Sequence, residues 1–290
     1  MAMYALLCCL ESVCPSYVPA GSLLPTACDV GRVVFGDAWA GGREHGSAYA
    51  GPMRIAACQT PEILGDVEAA LACVERFAAE ADGADLLLFP EGFVQGYLVT
   101  DEHVRTHALA FDSPGFEAIL RRLAPLRPVL VLGVIEREGE RFFNTAAVIR
   151  GGRLVGAYRK TQLVPGEAVF TPGEDYPVFE VAGVRFGINI CYDTRFPFAA
   201  ASVAAQGARV LLVASQNMMP RRRAAHWKEL HNAIRADRAR ETGMWVVSAD
   251  VTGERGPDRV GWGPTSVLDP DGGLVAQVPL MTVGFVVADV

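Results

Sequence analysis

From Met53 to the C-terminus, the sequence predicts one α/β domain, read as a sandwich of two sheets faced by helices. Three observations predict it. Strand-like apolar runs alternate with segments of helical periodicity. The runs in "ADLLLFPE", "PVLVLGVIER" and "ARVLLVAS" are apolar at nearly every position, the mark of strands buried on both faces. Several neighbouring runs are joined by short hairpin turns, a mixture that argues against a pure TIM barrel or a Rossmann sheet.

Taken in order, "RIAACQ" reads as the first strand of this domain. "GDVEAALACVERFAAEADG" is a helix with Val67, Leu71, Val74 and Ala78 on one face. "ADLLLFPE" is a buried strand ending at Pro90 and Glu91, "PGFEAILRRLAPL" a helix, and "PVLVLGVIER" a strand. "FFNTAAVIR" and "RLVGAYRK" flank Gly151-Gly152, a two-residue hairpin signal. A loop through "PGEAVFTPGEDYP" leads to "VFEVAGVRFGINIC", a second hairpin or a bulged pair. "FPFAAASVAAQG" is a helix ending in Gly207, and "ARVLLVAS" a strand. "RRAAHWKELHNAIRADRARETG" is a long helix with Trp227, Leu230 and Ile234 on one face, closed by Gly243. "MWVVSADV" is a strand, "TSVLDPDGGLVAQVP" a hairpin, and "VGFVVADV" the last strand. No fixed-period repeat is present.

Residues 1–52 read differently. Residues 15 to 52 are rich in Gly, Pro, Ala and Ser without periodicity, so 1–52 is expected to be a poorly ordered N-terminal extension and 53–290 the functional domain. The apolar start "MAMYALLCCL" has no basic segment before it and makes a poor signal peptide. No apolar run reaches the ~18–20 residues of a membrane-spanning helix. The net charge of −7 argues against nucleic acid as a partner, because phosphate binding needs a basic face. The one locally basic cluster, Arg221, Arg222 and Arg223, reads as a solvated turn before a helix. The seven cysteines are an odd number without framework spacing, so a reducing, cytoplasmic setting is expected.

The chemistry sits at strand exits. Glu91 ends the run in "LLLFPEGF", Lys160 ends the one in "GAYRKTQLVPGE", and Cys191 ends the one in "GINICYDTRFP". A structural cysteine would sit inside its run; Cys191 stands where the strand hands over to polar residues, and such loops carry chemistry. Taken singly, each has a plain structural reading: a packed thiol, a turn-capping carboxylate, a strand-end ammonium.

Together, in this order and with these flanks, they resemble the nitrilase superfamily of carbon–nitrogen hydrolases. That family carries a Glu-Lys-Cys triad. Its first motif, Phe-Pro-Glu, matches Phe89, Pro90 and Glu91; its second matches Tyr158, Arg159, Lys160, Leu163 and Glu167; its third matches Cys191 to Pro197. The "HW" pair, the "RA" of the long helix and the late "GPTSVLDPDG" also look familial. Gln162 and Phe198 depart from the histidine and glutamate that the family often has at those places. The resemblance implies an α/β fold arranged as a four-layer α-β-β-α sandwich, usually paired into homodimers or higher oligomers. It also implies hydrolysis of a small carboxamide to a carboxylic acid and ammonia through a thioester, with no cofactor. The context of Cys191 is most similar to the amidase-like, ω-amidase-type branch. N-carbamoyl and nitrile hydrolysis stay open, since all use the same triad.

Elementary chemistry agrees with those roles. A thiol is a weak nucleophile until ionised, with a free pKa of about 8.5. Lys160 and the start of the following helix are expected to favour the thiolate. Glu91 then serves as base towards Cys191 and as acid towards the leaving amine. Lys160 and the backbone N–H of Tyr192 would receive the oxyanion. Glu167, matched to the family's second glutamate, would hold Lys160 and orient substrate. Arg195 could pair with a substrate carboxylate, or hold Asp193 or another buried acid, and Tyr97, Asn217 and Trp262 could line a pocket expected to be small.

Three rivals stand beside this reading. A Cys–His enzyme would need His226 or His231 as the partner of Cys191. A metal hydrolase could use His103 and His107, at i and i+4, but Val104 stands where the zinc-protease motif has its glutamate. A scaffold or assembly protein would have no use for three matched reactive groups.

Overall fold

The structure, a computed structural model, describes residues 52–290 and the backbone of residues 31–33. The expectation for residues 1–52 otherwise lies outside the described residues. In chain order the elements are β1 (Gly31–Val33), β2 (Arg54–Pro61), α1 (Val67–Glu80), β3 (Leu86–Leu88), α2 (Asp101–His107), α3 (Pro114–Leu123), β4 (Val129–Glu138), β5 (Arg141–Arg150) and β6 (Arg153–Arg159). Then come β7 (Val178–Val181), β8 (Val184–Ile190), a 3-10 helix (Cys191–Arg195), α4 (Pro197–Ala204), β9 (Val210–Ala214), β10 (Met219–Pro220) and α5 (Arg221–Thr242). The chain closes with β11 (Trp245–Arg255), β12 (Arg259–Trp262), β13 (Ser266–Leu268), β14 (Leu274–Gln277) and β15 (Gly284–Asp289).

Local chemistry sets these boundaries. The Asp66 side chain accepts the Ala69 N–H at the start of α1, and Ser113 caps α3 ahead of Pro114. Gly243 ends α5 in the left-handed conformation, at φ 68°. Gly151 and Gly152 both take positive φ, 53° and 71°, as the tight turn between β5 and β6 requires.

One sheet runs β6-β5-β4-β3-β2-β15, with β1 parallel to β15; the other runs β7-β8-β9-β11-β13-β14. β11 belongs to both. Its first half pairs with β9 and β13, while Asp250–Thr252 continue alongside the end of β2. The sheets are therefore hydrogen-bonded to each other through one long strand.

The period-2 alternation of side chains then fixes four layers. Ile55, Ala57, Leu86, Leu88, Val210 and Leu212 face the space between the sheets. Their neighbours Ala56, Cys58, Leu87 and Phe89 face α1 and α3 through Leu71, Phe77 and Phe116. On the far side, Leu211, Val213 and Val246 meet Ala200 and Val203 of α4 and Ala236 and Ala239 of α5. The order is helices, sheet, sheet, helices, as the motif resemblance implies. No helix among the described residues is long and apolar enough to cross a membrane.

Two expectations change. The 3-10 helix begins at Cys191 itself, ahead of the helix expected near Phe196. In α5 the buried residues are Ala224, Arg235, Ala236, Arg238 and Ala239, whereas Trp227, Leu230 and Ile234 are only half-buried. Small alanines bring this helix close to the sheet, and its larger apolar residues face elsewhere.

Gly133 in β4 lies directly under the turn that carries Glu91. A Cβ there would stand 2.3 Å from both the Pro90 carbonyl oxygen and the Gly92 nitrogen. Gly133→Ala should therefore destabilise the fold by about 1–3 kcal/mol, read by urea unfolding, and lower turnover by displacing Glu91. An unchanged unfolding midpoint would show that this turn yields freely.

Candidate active site

Strand ends bring the reactive groups together. Glu91 leaves β3 through Phe89 and Pro90, Lys160 follows β6, Asn144 lies on β5, and Cys191 follows β8. Lys160 Nζ donates to Glu91 Oε1 at 2.7 Å and to Glu167 Oε1 at 2.9 Å. Asn144 Nδ2 donates to the same two oxygens, at 2.7 and 3.1 Å. The second Glu91 oxygen accepts the Gln216 N–H at 3.1 Å, and that of Glu167 accepts the Val164 N–H at 2.7 Å. Tyr97 adds a short hydrogen bond from its hydroxyl to Glu167 Oε1. Glu91, Lys160 and Glu167 are each at most 1 % exposed, so this ionic cluster is sealed from solvent.

Burial alone would push the Lys160 ammonium down, but Glu91 and Glu167 more than offset it and hold the amine up, firmly charged. Burial pushes Glu91 above the usual carboxylate range; Lys160 opposes this and Glu167 adds to it. A raised carboxylate is the better proton acceptor.

Cys191 departs from expectation. Burial and the charges of Glu91, Asp250 and Glu167 push its thiol well up, and Lys160 opposes them without prevailing. The resting group is a thiol, which needs a base before it attacks. Its backbone is unusual too: φ is 44°, the left-handed region, which costs a non-glycine residue about 1–3 kcal/mol. Asp193 holds that turn. One carboxylate oxygen accepts the Ile190 N–H at 2.9 Å and the Tyr158 hydroxyl at 2.7 Å. The other accepts the backbone N–H groups of Thr161, at 3.2 Å, and Gln162, at 2.8 Å. The segment after Lys160 and the turn after Ile190 are thereby tied to one side chain.

Cys191 opens onto a cavity of about 600 Å³, also lined by Tyr192, Arg195 and Asn217. That volume is far larger than the small pocket expected, because the mouth is framed by the first turns of α5 as well as by short loops. Asn217 Oδ1 lies 3.8 Å from the Cys191 sulfur, and its N–H is fixed by Asp250 Oδ1 at 2.9 Å. Arg195 does not hold Asp193; its guanidinium lies between the rings of Tyr192 and Trp227, at 5.3 and 5.0 Å. Tyr97 sits behind the lining on Glu167, and Trp262 lies outside it against Lys228. Trp262 is the last residue of β12, not a loop residue as expected, and neither ring lines the cavity.

Three site residues were not singled out from the sequence, Asn144, Asp250 and Arg235, and Asp193 was named only as a possible partner of Arg195. Asn144 and Asp250 are polar residues inside largely apolar strand runs, which is a signal in itself. Arg235 falls on the helical stripe of Trp227 and His231, at i+8 and i+4. His231 does line the cavity, but burial and Arg235 push it down to about 3, too weak a base for so high a thiol. His226 is exposed on α5. His103 and His107 stack at 4.5 Å, and among the described residues no group of three or more His, Cys, Asp or Glu is arranged to hold a metal ion.

The chain is 35% identical over 234 residues to the "Hydrolase in pqqF 5'region" of Pseudomonas protegens, covering 79% of each protein. It is 28% identical over 200 residues to an (R)-stereoselective amidase of a Pseudomonas species, covering 69% of this chain and 70% of that one. Among solved structures it resembles a cysteine-to-alanine mutant of the Nesterenkonia AN1 amidase of the nitrilase superfamily. The TM-score is 0.73 at 28% identity, over 83% of this chain and 92% of the other. Residues 54–290 match the family model described as carbon-nitrogen hydrolase, and the chain therefore belongs to that family.

Proposed function

We propose that this protein hydrolyses a linear carboxamide to a carboxylic acid and ammonia, with Cys191 as nucleophile, Glu91 as proton carrier and Lys160 as electrostatic partner. The observation that carries the reading is the sealed Glu91–Lys160–Glu167 cluster beside a thiol that opens onto a cavity. The names of the amidase neighbours favour an amide over a nitrile or a carbamoyl compound.

The steps follow from the charges. Glu91 takes the thiol proton as the sulfur attacks the amide carbon, and the carbonyl oxygen becomes an oxyanion. Lys160 and the Tyr192 N–H receive that charge; the first N–H groups of a helix lack intrahelical acceptors. Glu91 returns its proton to the nitrogen, the C–N bond breaks, and ammonia leaves a thioester on Cys191. Water, deprotonated by Glu91, then releases the acid, and the proton returns to sulfur. Glu167 and Asn144 keep Lys160 and Glu91 in register throughout.

We place the reaction in the cytoplasm, in keeping with Cys58, Cys73 and Cys191, which are all free thiols. We also propose a homodimer or higher assembly; half-exposed Phe198 on the outer helix layer supports it, and sedimentation of the purified chain tests it.

A panel of primary amides, N-carbamoyl amines and nitriles, read by ammonia release, should show turnover of amides. Cys191→Ala should abolish it with the circular dichroism unchanged. Acid-quenched intact-mass spectra should show acyl adduct on the native chain and none on the variant. Hydrolysis by Cys191→Ala would end the assignment. Lys160→Met should lower kcat by about 10²–10³. Part of that change reflects two carboxylates left facing each other, so melting curves must accompany it.

Asp250 gives a pH prediction. Burial pushes this carboxyl up to about 7, against Arg235 and the Asn217 contacts, so the folded chain holds a proton that the unfolded chain releases near pH 4. Its stabilising contribution is complete below about pH 4 and is lost as pH rises to about 7. Between those values the native protein should lose on the order of 2–4 kcal/mol relative to Asp250→Asn, measured by urea unfolding of both at several pH values. Parallel profiles would refute the assignment of this proton.

A further inference from the structure

The segment that follows β9 joins the base to the nucleophile. The Glu91 N–H donates to the Ser215 carbonyl at 3.3 Å, and the Gln216 N–H donates back to Glu91 Oε2 at 3.1 Å. The next residue, Asn217, is buried yet lines the cavity, and its Oδ1 accepts the Cys191 S–H at 3.8 Å. Three consecutive residues thus span the site from the carboxylate to the sulfur.

A side-chain amide has two ends of nearly equal shape, an oxygen that accepts and an NH₂ that donates, so its partners decide which end meets the site. Here Asp250 decides. Its Oδ2 takes Asn217 Nδ2 in a short hydrogen bond, and its Oδ1 takes the backbone N–H groups of Asn217 and Val251, each at 2.9 Å. An ionised carboxylate only accepts, so it holds the NH₂ end and leaves the oxygen end to the sulfur. Asp250 is itself fully buried where β11 leaves β9 and pairs with Gln59 of β2, a position that gives it little freedom to follow a turning amide. The other charged groups that face this pair are Arg235 on α5, 3.9 Å from Asp250 Oδ2, and, across Cys191, Lys160 with Glu91 and Glu167.

Resting on the amidase reading, we infer that Asp250 is a positioning residue that keeps the Asn217 oxygen turned to the reacting atoms, and that this oxygen selects a leaving group that brings an N–H donor. In the resting protein it accepts the thiol S–H; during attack it accepts an N–H of the bound amide. An ester of the same acid has only an oxygen on its leaving side, which the Asn217 oxygen repels. The contact strengthens as the reaction proceeds. The nitrogen gains positive charge when Glu91 returns the proton to it, and a charged N–H donates more strongly than a neutral one. An interaction that grows toward the transition state raises the rate instead of merely tightening binding. The proton source and the N–H acceptor are moreover held by adjacent residues, Glu91 by Gln216 and the oxygen by Asn217 itself.

The test measures kcat/KM for primary amides and methyl esters of the same acids, and follows the ratio of amide to ester. Cys191, Glu91, Lys160 and Glu167 serve both substrates, so their titration cancels from that ratio. Asp250→Asn offers Asn217 a donor as well as an acceptor and lets its amide turn over, so the ratio should fall about tenfold or more, the value of one hydrogen bond exchanged for a repulsion. Asn217→Ala, which removes the acceptor, should lower amide hydrolysis more than ester hydrolysis. The native chain supplies a reading that needs no variant. Burial pushes the Asp250 carboxyl up to about 7, and once protonated it donates to the Asn217 oxygen and frees the amide to turn. The ratio should therefore climb as pH rises through that value. A ratio that neither variant moves would overturn the inference, as would one that stays flat across that pH in the native chain; in both cases amide turnover leaves the amidase reading standing. Ester hydrolysis with no ammonia from any amide would overturn the amidase reading and the inference with it.

Discussion

The Lys160 ammonium, shut away from water between Glu91 and Glu167, is the constraint on which the rest of this architecture hangs. Removing such charges from solvent costs several kcal/mol per ion, and only full hydrogen bonding offsets it. That requirement dictates much around it. Asn144 must lie on β5 to bridge both carboxylates, the Gln216 and Val164 N–H groups must point inward, and Tyr97 must close the Glu167 side. A network in which nearly every polar atom has a partner is rigid, because each displacement leaves some buried group bare. Glu91 is therefore held in place beneath the cavity before any ligand arrives.

The nucleophile is held by a second device of the same kind. Cys191 sits in a conformation that side chains avoid, and Asp193 compensates by gathering the N–H groups on both sides of the site. The left-handed turn brings the thiol off the end of β8 to the cavity wall, where it also packs against the edge of the core between the sheets. The burial that makes Glu91 a better base also keeps the thiol protonated, and Glu167 adds to both effects. Basicity and latency are two consequences of one sealed setting, so the attack depends on proton transfer inside the site more than on a standing thiolate.

Much of this was legible in the residues. The apolar runs located the central strands because strands buried on both faces leave little room for polar residues, and Gly151-Gly152 set the β5–β6 turn. Glu91, Lys160 and Cys191 stood out because each breaks an apolar run at its exit. The partners that tune them did not. Asp250 and Arg235 meet across different elements, and Asp193 serves residues some thirty positions away, links that no local pattern encodes. The dual membership of β11 was equally hidden, since a strand shared by two sheets has the same composition as one that stays in a single sheet. The arginines of α5 were read as solvated for a related reason: a charge run looks the same on an open surface and on the rim of a cavity.

That rim gives the site a polarity which the buried cluster cannot supply. Behind the wall the buried carboxylates outnumber the ammonium groups. The arginines at the mouth reverse the sign of the field where solvent screening is strongest, and Arg235 carries positive charge inward along α5 to the neighbourhood of Cys191 and Asp250. A charged group entering from solvent therefore meets arginines at the mouth and carboxylates only behind the wall.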